Sequence, residues 1–149
     1  LKPQLTKLYA EILAEIPKVR EFDPMNPNML LIQSDVVRHE GELKGGDATV
    51  ARQKAFAMQQ QADALPFEVT ELSLKRGEGT VTVSGKILNK KLAAGAPVSL
   101  KITLIGVKGE TLGEIAATAN AGAPDAAVPF EGTTNVSGLV AGWKYVVTP

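Results

Sequence analysis

Two periodicities divide the 149-residue chain. In QLTKLYAEILAEI, residues 4–16, the apolar side chains Leu5, Leu8, Tyr9, Ile12, Leu13 and Ile16 recur at i, i+3, i+4, i+7 and i+8. That spacing gathers them on one helical stripe. Pro17 is expected to end the helix, since proline lacks an amide donor and its ring collides with the preceding turn. FDPMNPN, 22–28, reads as a loop. MLLIQSDVV, 29–37, reads as a helix with Pro27 in its first turn, or as a short strand. The helix is favoured, because Gln33, Ser34 and Asp35 interrupt any alternation. Gly45 and Gly46 then break the chain, and Asp47 is placed to cap a helix over about 48–65. This helix is rich in Ala, Gln and Arg, all favourable in helices. Ala51, Ala55, Met58, Ala62 and Leu65 form its stripe. A face lined by alanine requires a closely approaching partner, either its own domain or another subunit.

After Pro66 the period becomes 2. Phe67 and Val69 alternate, and Leu72 and Leu74 follow after a one-residue phase slip that predicts a bulge. Residues 76–79, RGEG, read as a hairpin turn, and Val81, Val83 and Ile87 continue the next strand. PVSLKITLIG, 97–106, alternates Val98, Leu100, Ile102 and Leu104. Lys108 and Gly109 sit in a tight turn, after which Leu112 and Ile115, then Val128 and Phe130, then Trp143, Tyr145 and Val147 mark further strands. The small-residue run 116–127 reads as a long loop or a weak edge strand. Six or seven short strands with turns about every 8–12 residues predict an antiparallel β-sandwich. The expected fold class is therefore α+β: residues 1–66 form two or three helices, and 67–149 form an immunoglobulin-like sandwich.

Composition narrows the function classes. The chain is 44% hydrophobic and 21% charged, an ordinary globular balance, with 16 basic residues against 16 acidic ones. Residues 1–66 carry eight basic and nine acidic side chains, and 67–149 carry eight and seven. Such even charge argues against a nucleic-acid footprint. The absence of cysteine excludes disulfides, thiolate metal sites and cysteine nucleophiles. No apolar run reaches the roughly 18–20 residues of a membrane-spanning helix. The chain opens at Leu1 rather than methionine, which suits removal of an upstream signal or anchor.

SGKILN carries a G-x-x-x-N pattern, Gly85 to Asn89, followed by an alternating strand, the turn GVKGETLGE (106–114) and a small-residue segment leading to the phenylalanine of VPFEG. This order resembles the FxLYD-type bacterial immunoglobulin-like domains over roughly 67–149, although the literal signature is absent. The resemblance implies a small sandwich displayed outside the cytoplasm, periplasmic or cell-surface, with no enzyme activity.

Candidate chemistry is sparse. His39, the single histidine, lies in VVRHEGE and reads as a surface residue. None of the serines stands in a G-x-S-x-G turn. Glu110, Glu114, Asp125 and Glu131 are scattered near turns, and a hydrolase would need a cleft converging on Glu110, Glu114 or Glu131. Neither calcium-loop nor phosphate-loop spacing is present, so no catalytic, metal or cofactor residue is assigned. Lys86, Lys90 and Lys91, with Lys75 and Arg76, are a candidate basic contact for an acidic partner or a membrane surface, or else a solvated face. Trp143 and Tyr145 form either a sugar-binding platform or part of the core. The expected role is a non-catalytic extracytoplasmic interaction module, an accessory subunit contacting protein partners through Ala51, Ala55, Met58 and Ala62 or through the lysines. The alternatives are a carbohydrate-binding module using Trp143 and Tyr145, and a hydrolase.

Overall fold

The computed structural model describes residues 1–149 as three helices followed by six strands. They divide into two units: Leu1–Glu21 with Asn26–Leu65, and Phe22–Met25 with Pro66–Pro149.

In the helical unit, α1 spans Lys2–Phe22 and runs through Pro17 rather than stopping there. An interior proline costs about 3 kcal/mol. Here it is flanked by buried Ile16 and, one turn on, half-buried Arg20. Burial of one large aliphatic side chain is worth about 1.5–3 kcal/mol, enough to offset most of that cost. Helix α2 spans Pro27–Lys44, longer than the apolar run alone indicates. The Asn26 side chain caps it by accepting from the Asn28 amide at 3.0 Å, and Pro27 fills the first turn, where no donor is needed. Gly45 and Gly46 end it at φ +76° and +71°. Helix α3 spans Thr49–Asp63. Its N-cap position is held by Ala48, one residue later than expected, but the Asp47 carboxylate before it still accepts from the first helical residue, from the Thr49 amide at 2.9 Å and the Thr49 hydroxyl at 2.5 Å.

Helices α2 and α3 pack with little between their backbones. A Cβ added at Gly41 would collide with the Ala51 side chain, and the buried Ser34 hydroxyl donates to the Ala55 carbonyl at 2.8 Å. The polar interruption in α2 is thus a packing position, and the close partner of the alanine stripe is α2.

The second unit holds β1 (Phe67–Arg76), β2 (Thr80–Asn89), β3 (Pro97–Gly106), β4 (Thr111–Asn120), β5 (Ala127–Asn135) and β6 (Val140–Thr148). They form two three-stranded antiparallel sheets, ordered β1-β2-β5 and β4-β3-β6. The chain therefore changes sheets after β2, after β4 and after β5. The inner rows are those marked by the alternation: Val81, Val83, Ile87, Val98, Leu100, Ile102 and Leu104 are all buried. Residues 116–120 belong to edge strand β4 and 121–126 form the loop that follows, so both readings of the small-residue run apply in part.

The phase slip in β1 is a bulge. Thr70 pairs with Lys86 and Ser73 with Ser84, so Glu71 and Leu72 together face Gly85, and Glu71 takes φ +53°. Gly85 also pairs with Phe130, whose ring lies across it. A Cβ there would meet Phe130 Cζ at 2.8 Å and the Thr70 carbonyl at 3.1 Å. Glycine is required by this close approach.

Candidate functional site

The candidate lysines lie on the sandwich but do not form a free positive patch. Lys86 points outward from β2, opposite in sense to buried Ile87, and meets Glu71 at 2.8 Å. The bulge that turns Glu71 outward supplies that partner. Lys90 meets Asp125 at 3.5 Å. Arg76 donates to the Val140 carbonyl at 2.7 Å, tying the end of β1 to the start of β6. The two exposed ion pairs are worth at most about 1 kcal/mol each, but they offset the charge of Lys86 and Lys90 that an acidic ligand would seek; Lys75 is exposed and makes no ion pair. Lys91 stays exposed, while its amide and that of Lys90 both donate to the Pro66 carbonyl at 2.9 and 3.1 Å.

Between those lysines and the core sits Asn89, fully buried. Its amide nitrogen donates to the Leu92 and Gly122 carbonyls, and its oxygen accepts from the Leu92 amide, each at 2.8 Å. The Asn89 backbone donates to Ala126 at 3.0 Å and accepts from Asp125 at 2.8 Å. Asn89 closes its own turn and also holds the loop after β4.

Trp143 and Tyr145 part company. Trp143 is half-buried, whereas Tyr145 is 1% exposed and cannot offer a ring face to a sugar. Tyr145 instead anchors the segment Phe22–Met25. Its hydroxyl donates to the Asp23 carboxylate and accepts from the Met25 amide at 3.0 Å. The Met25 carbonyl in turn accepts from Val69 of β1 at 3.3 Å. Asp23 and Met25, in the connection between α1 and α2, thus bridge β6 of one sheet and β1 of the other. Burial, reinforced by the hydrogen bond to Asp23 and its negative charge, pushes the Tyr145 hydroxyl far above the usual phenol range. It is a neutral structural donor, not an acid or base. Neither this clasp nor the cross-loop bonds of Asn89 has a local sequence signature beyond the loop composition of FDPMNPN.

The alanine stripe is likewise occupied. Ala51 and Ala55 meet α2, Ala62 is buried and Met58 half-buried, so of the two partners open to that stripe it is the chain's own helix that lies against Ala51 and Ala55. The apolar residues that α2 and α3 do expose are others: Leu31 and Ile32, and Val50 and Phe56. His39 is exposed beside Arg38, at 3.4 Å. Glu110 accepts from the Lys108 amide in its own turn at 2.8 Å, and Glu114 meets Lys101 at 3.2 Å. Glu114 and Glu131 line different surface depressions. No three His, Asp or Glu side chains are grouped to hold a metal ion, and no helix is long and apolar enough to cross a membrane. Neither the known protein-family models nor the curated proteins contain a match to this sequence.

Proposed function

We propose that the chain is a non-catalytic, extracytoplasmic interaction module, an accessory or assembly subunit of a larger membrane-associated complex. The observation that carries this reading is the exposure of large apolar side chains on the helical hairpin: Phe56 and Val50 are each 60% exposed, and Ile32 43%. These side chains, rather than the alanine stripe, are the partner contacts in this reading. The resemblance of residues 67–149 to FxLYD-type immunoglobulin-like domains supports display outside the cytoplasm. The strand order, with β2 beside β5 and β3 beside β6, is compatible with it. A carbohydrate platform is disfavoured because it would rest on the half-buried Trp143 alone.

The test is fractionation of cells carrying the full-length protein, with in-cell crosslinking. The protein should partition to the envelope, accessible to protease from outside the cytoplasm, and crosslink into an assembly that Phe56→Glu with Val50→Glu abolishes. A cytosolic protein, or one whose crosslinks ignore both substitutions, would refute the proposal.

A further inference from the structure

The four sheet edges are not equally protected. An exposed edge strand presents unpaired amides and carbonyls to any other strand, and proteins block such edges with bulges, prolines, charges or coverage. Strand β1 has its bulge at Glu71, and the Val69 amide is already taken by Met25. Strand β5 carries Pro129 mid-strand, and Gly132 lies against the Ile115 side chain of β4. Strand β4 is bulged only at its start, at Leu112, but its edge lies against β5: a Cβ at Gly113 would stand 3.5 Å from the Asn135 carbonyl, and one at Gly132 3.6 Å from the Ala116 carbonyl. Strand β6 differs. Its bulge, at Ala141, likewise lies at its start, between the Ile105–Gly142 and Gly106–Val140 pairs, and no strand of the other sheet is seen against it in this way. Residues 142–148 then pair regularly with β3, contain no proline and carry one charge, Lys144. The Arg76 side chain takes the Val140 carbonyl at the start of β6, but beyond that residue no hydrogen bond outside the ladder with β3 reaches the β6 backbone. Val146 and Val147 stand 48% and 41% exposed.

We propose that β6 pairs antiparallel with β6 of a second copy of this chain about a two-fold axis at Tyr145, joining two sheets into one six-stranded sheet. The sequence of β6 selects this occupant. Inner and outer rows must stay on their own faces, so only registers that pair residues of like parity are open. Centring on Lys144 would set two lysines opposite each other, which is unfavourable. Centring on Tyr145 sets Lys144 against Val146 of the second copy, and Trp143 against Val147. The latter is an aromatic–β-branched pair, a favourable cross-strand combination. It occurs twice by symmetry and covers a half-buried tryptophan and an exposed valine at once. This inference does not depend on the role proposed above.

Sedimentation of the full chain over a concentration series tests it. The expected result is a reversible monomer–dimer equilibrium. Val146→Glu places a carboxylate opposite Lys144 of the second copy and should tighten the dimer about two- to thirty-fold; Val146→Lys should weaken it by a similar factor. Both positions are on the solvent face, so circular dichroism should be unchanged. Because the chain has no cysteine, Lys144→Cys mixed with Val146→Cys should form an intermolecular disulfide that neither variant forms alone. A chain that stays monomeric at its highest soluble concentration would overturn the proposal. So would a dimer indifferent to both charges, or one that never forms the mixed disulfide.

Discussion

The sandwich and the helical hairpin bury apolar surface with opposite materials. The sandwich core is made of large side chains that interdigitate: Ile87, Ile102, Leu104 and Tyr145 are each at most 1% exposed. The α2–α3 hairpin is closed by Gly41, Ser34, Ala51 and Ala55, residues that let two backbones approach. Large side chains stabilise through the area they remove from water, so that core is sensitive to lost volume. Small ones stabilise through proximity, so the hairpin is sensitive to added volume. The two units should therefore fail under opposite substitutions.

The sharpest test is Ile102→Ala, which should lower the stability of the sandwich by about 3–4 kcal/mol in denaturant unfolding followed by Trp143 fluorescence. A loss below about 1 kcal/mol would mean that the core relaxes around the gap, and the contrast would fail. Asn89→Ala comes next, at about 2–3 kcal/mol, because it leaves the Leu92 amide and two carbonyls without partners in a buried site. Gly41→Val should destabilise the hairpin by about 1–3 kcal/mol, read as lost helical dichroism with the Trp143 transition less affected. If Gly41→Val is neutral, the close approach of α2 and α3 is not what holds them.

Tyr145→Phe keeps the ring and removes the hydroxyl, at an expected cost of about 1–2 kcal/mol. Its alkaline behaviour has a definite sign. The folded state holds the phenol above its ordinary value of 10.0, so its contribution is complete below that pH and lost as pH rises further. Unfolding at high pH should therefore be less steep in Tyr145→Phe than in the parent. The smallest effect belongs to Asp47, whose carboxylate is held below its ordinary value of 3.8 by the Thr49 side-chain hydrogen bond and then by the Thr49 amide. Its contribution is present above pH 3.8 and lost as pH falls through the lowered folded value. Asp47→Asn should reduce the acid sensitivity of the helical signal, and an unchanged acid limb would show that this cap does not matter.

The same contrast explains what could be read from the chain. Strands announce themselves because each inner row repeats at every second residue, and even the bulge opposite Gly85 left a phase slip between Val69 and Leu72. The stripe on α3 was legible as a face needing a close partner. Identifying α2 as that partner required knowing that Gly41 faces Ala51, information carried by no periodicity. Helix α1 outran Pro17 because burial of the adjoining Ile16 offsets most of the local penalty. The clasp on Tyr145 was illegible because its two ends are 120 residues apart and neither end is patterned. Lys86 and Lys90 were legible as outward-facing, but not as already paired, since Glu71 reaches Lys86 only through the bulge.

That separation of 120 residues also orders the birth of the protein. During synthesis Met25 leaves the ribosome long before Tyr145, and four of the six strands are complete before β5 and β6 arrive to give β2 and β3 their second neighbours. Closing so long a loop is slow relative to forming α1 before it and α2 and α3 within it. The seam between the sheets is thus sealed last, and until β6 emerges the nascent chain holds an open sandwich whose inner rows need shelter.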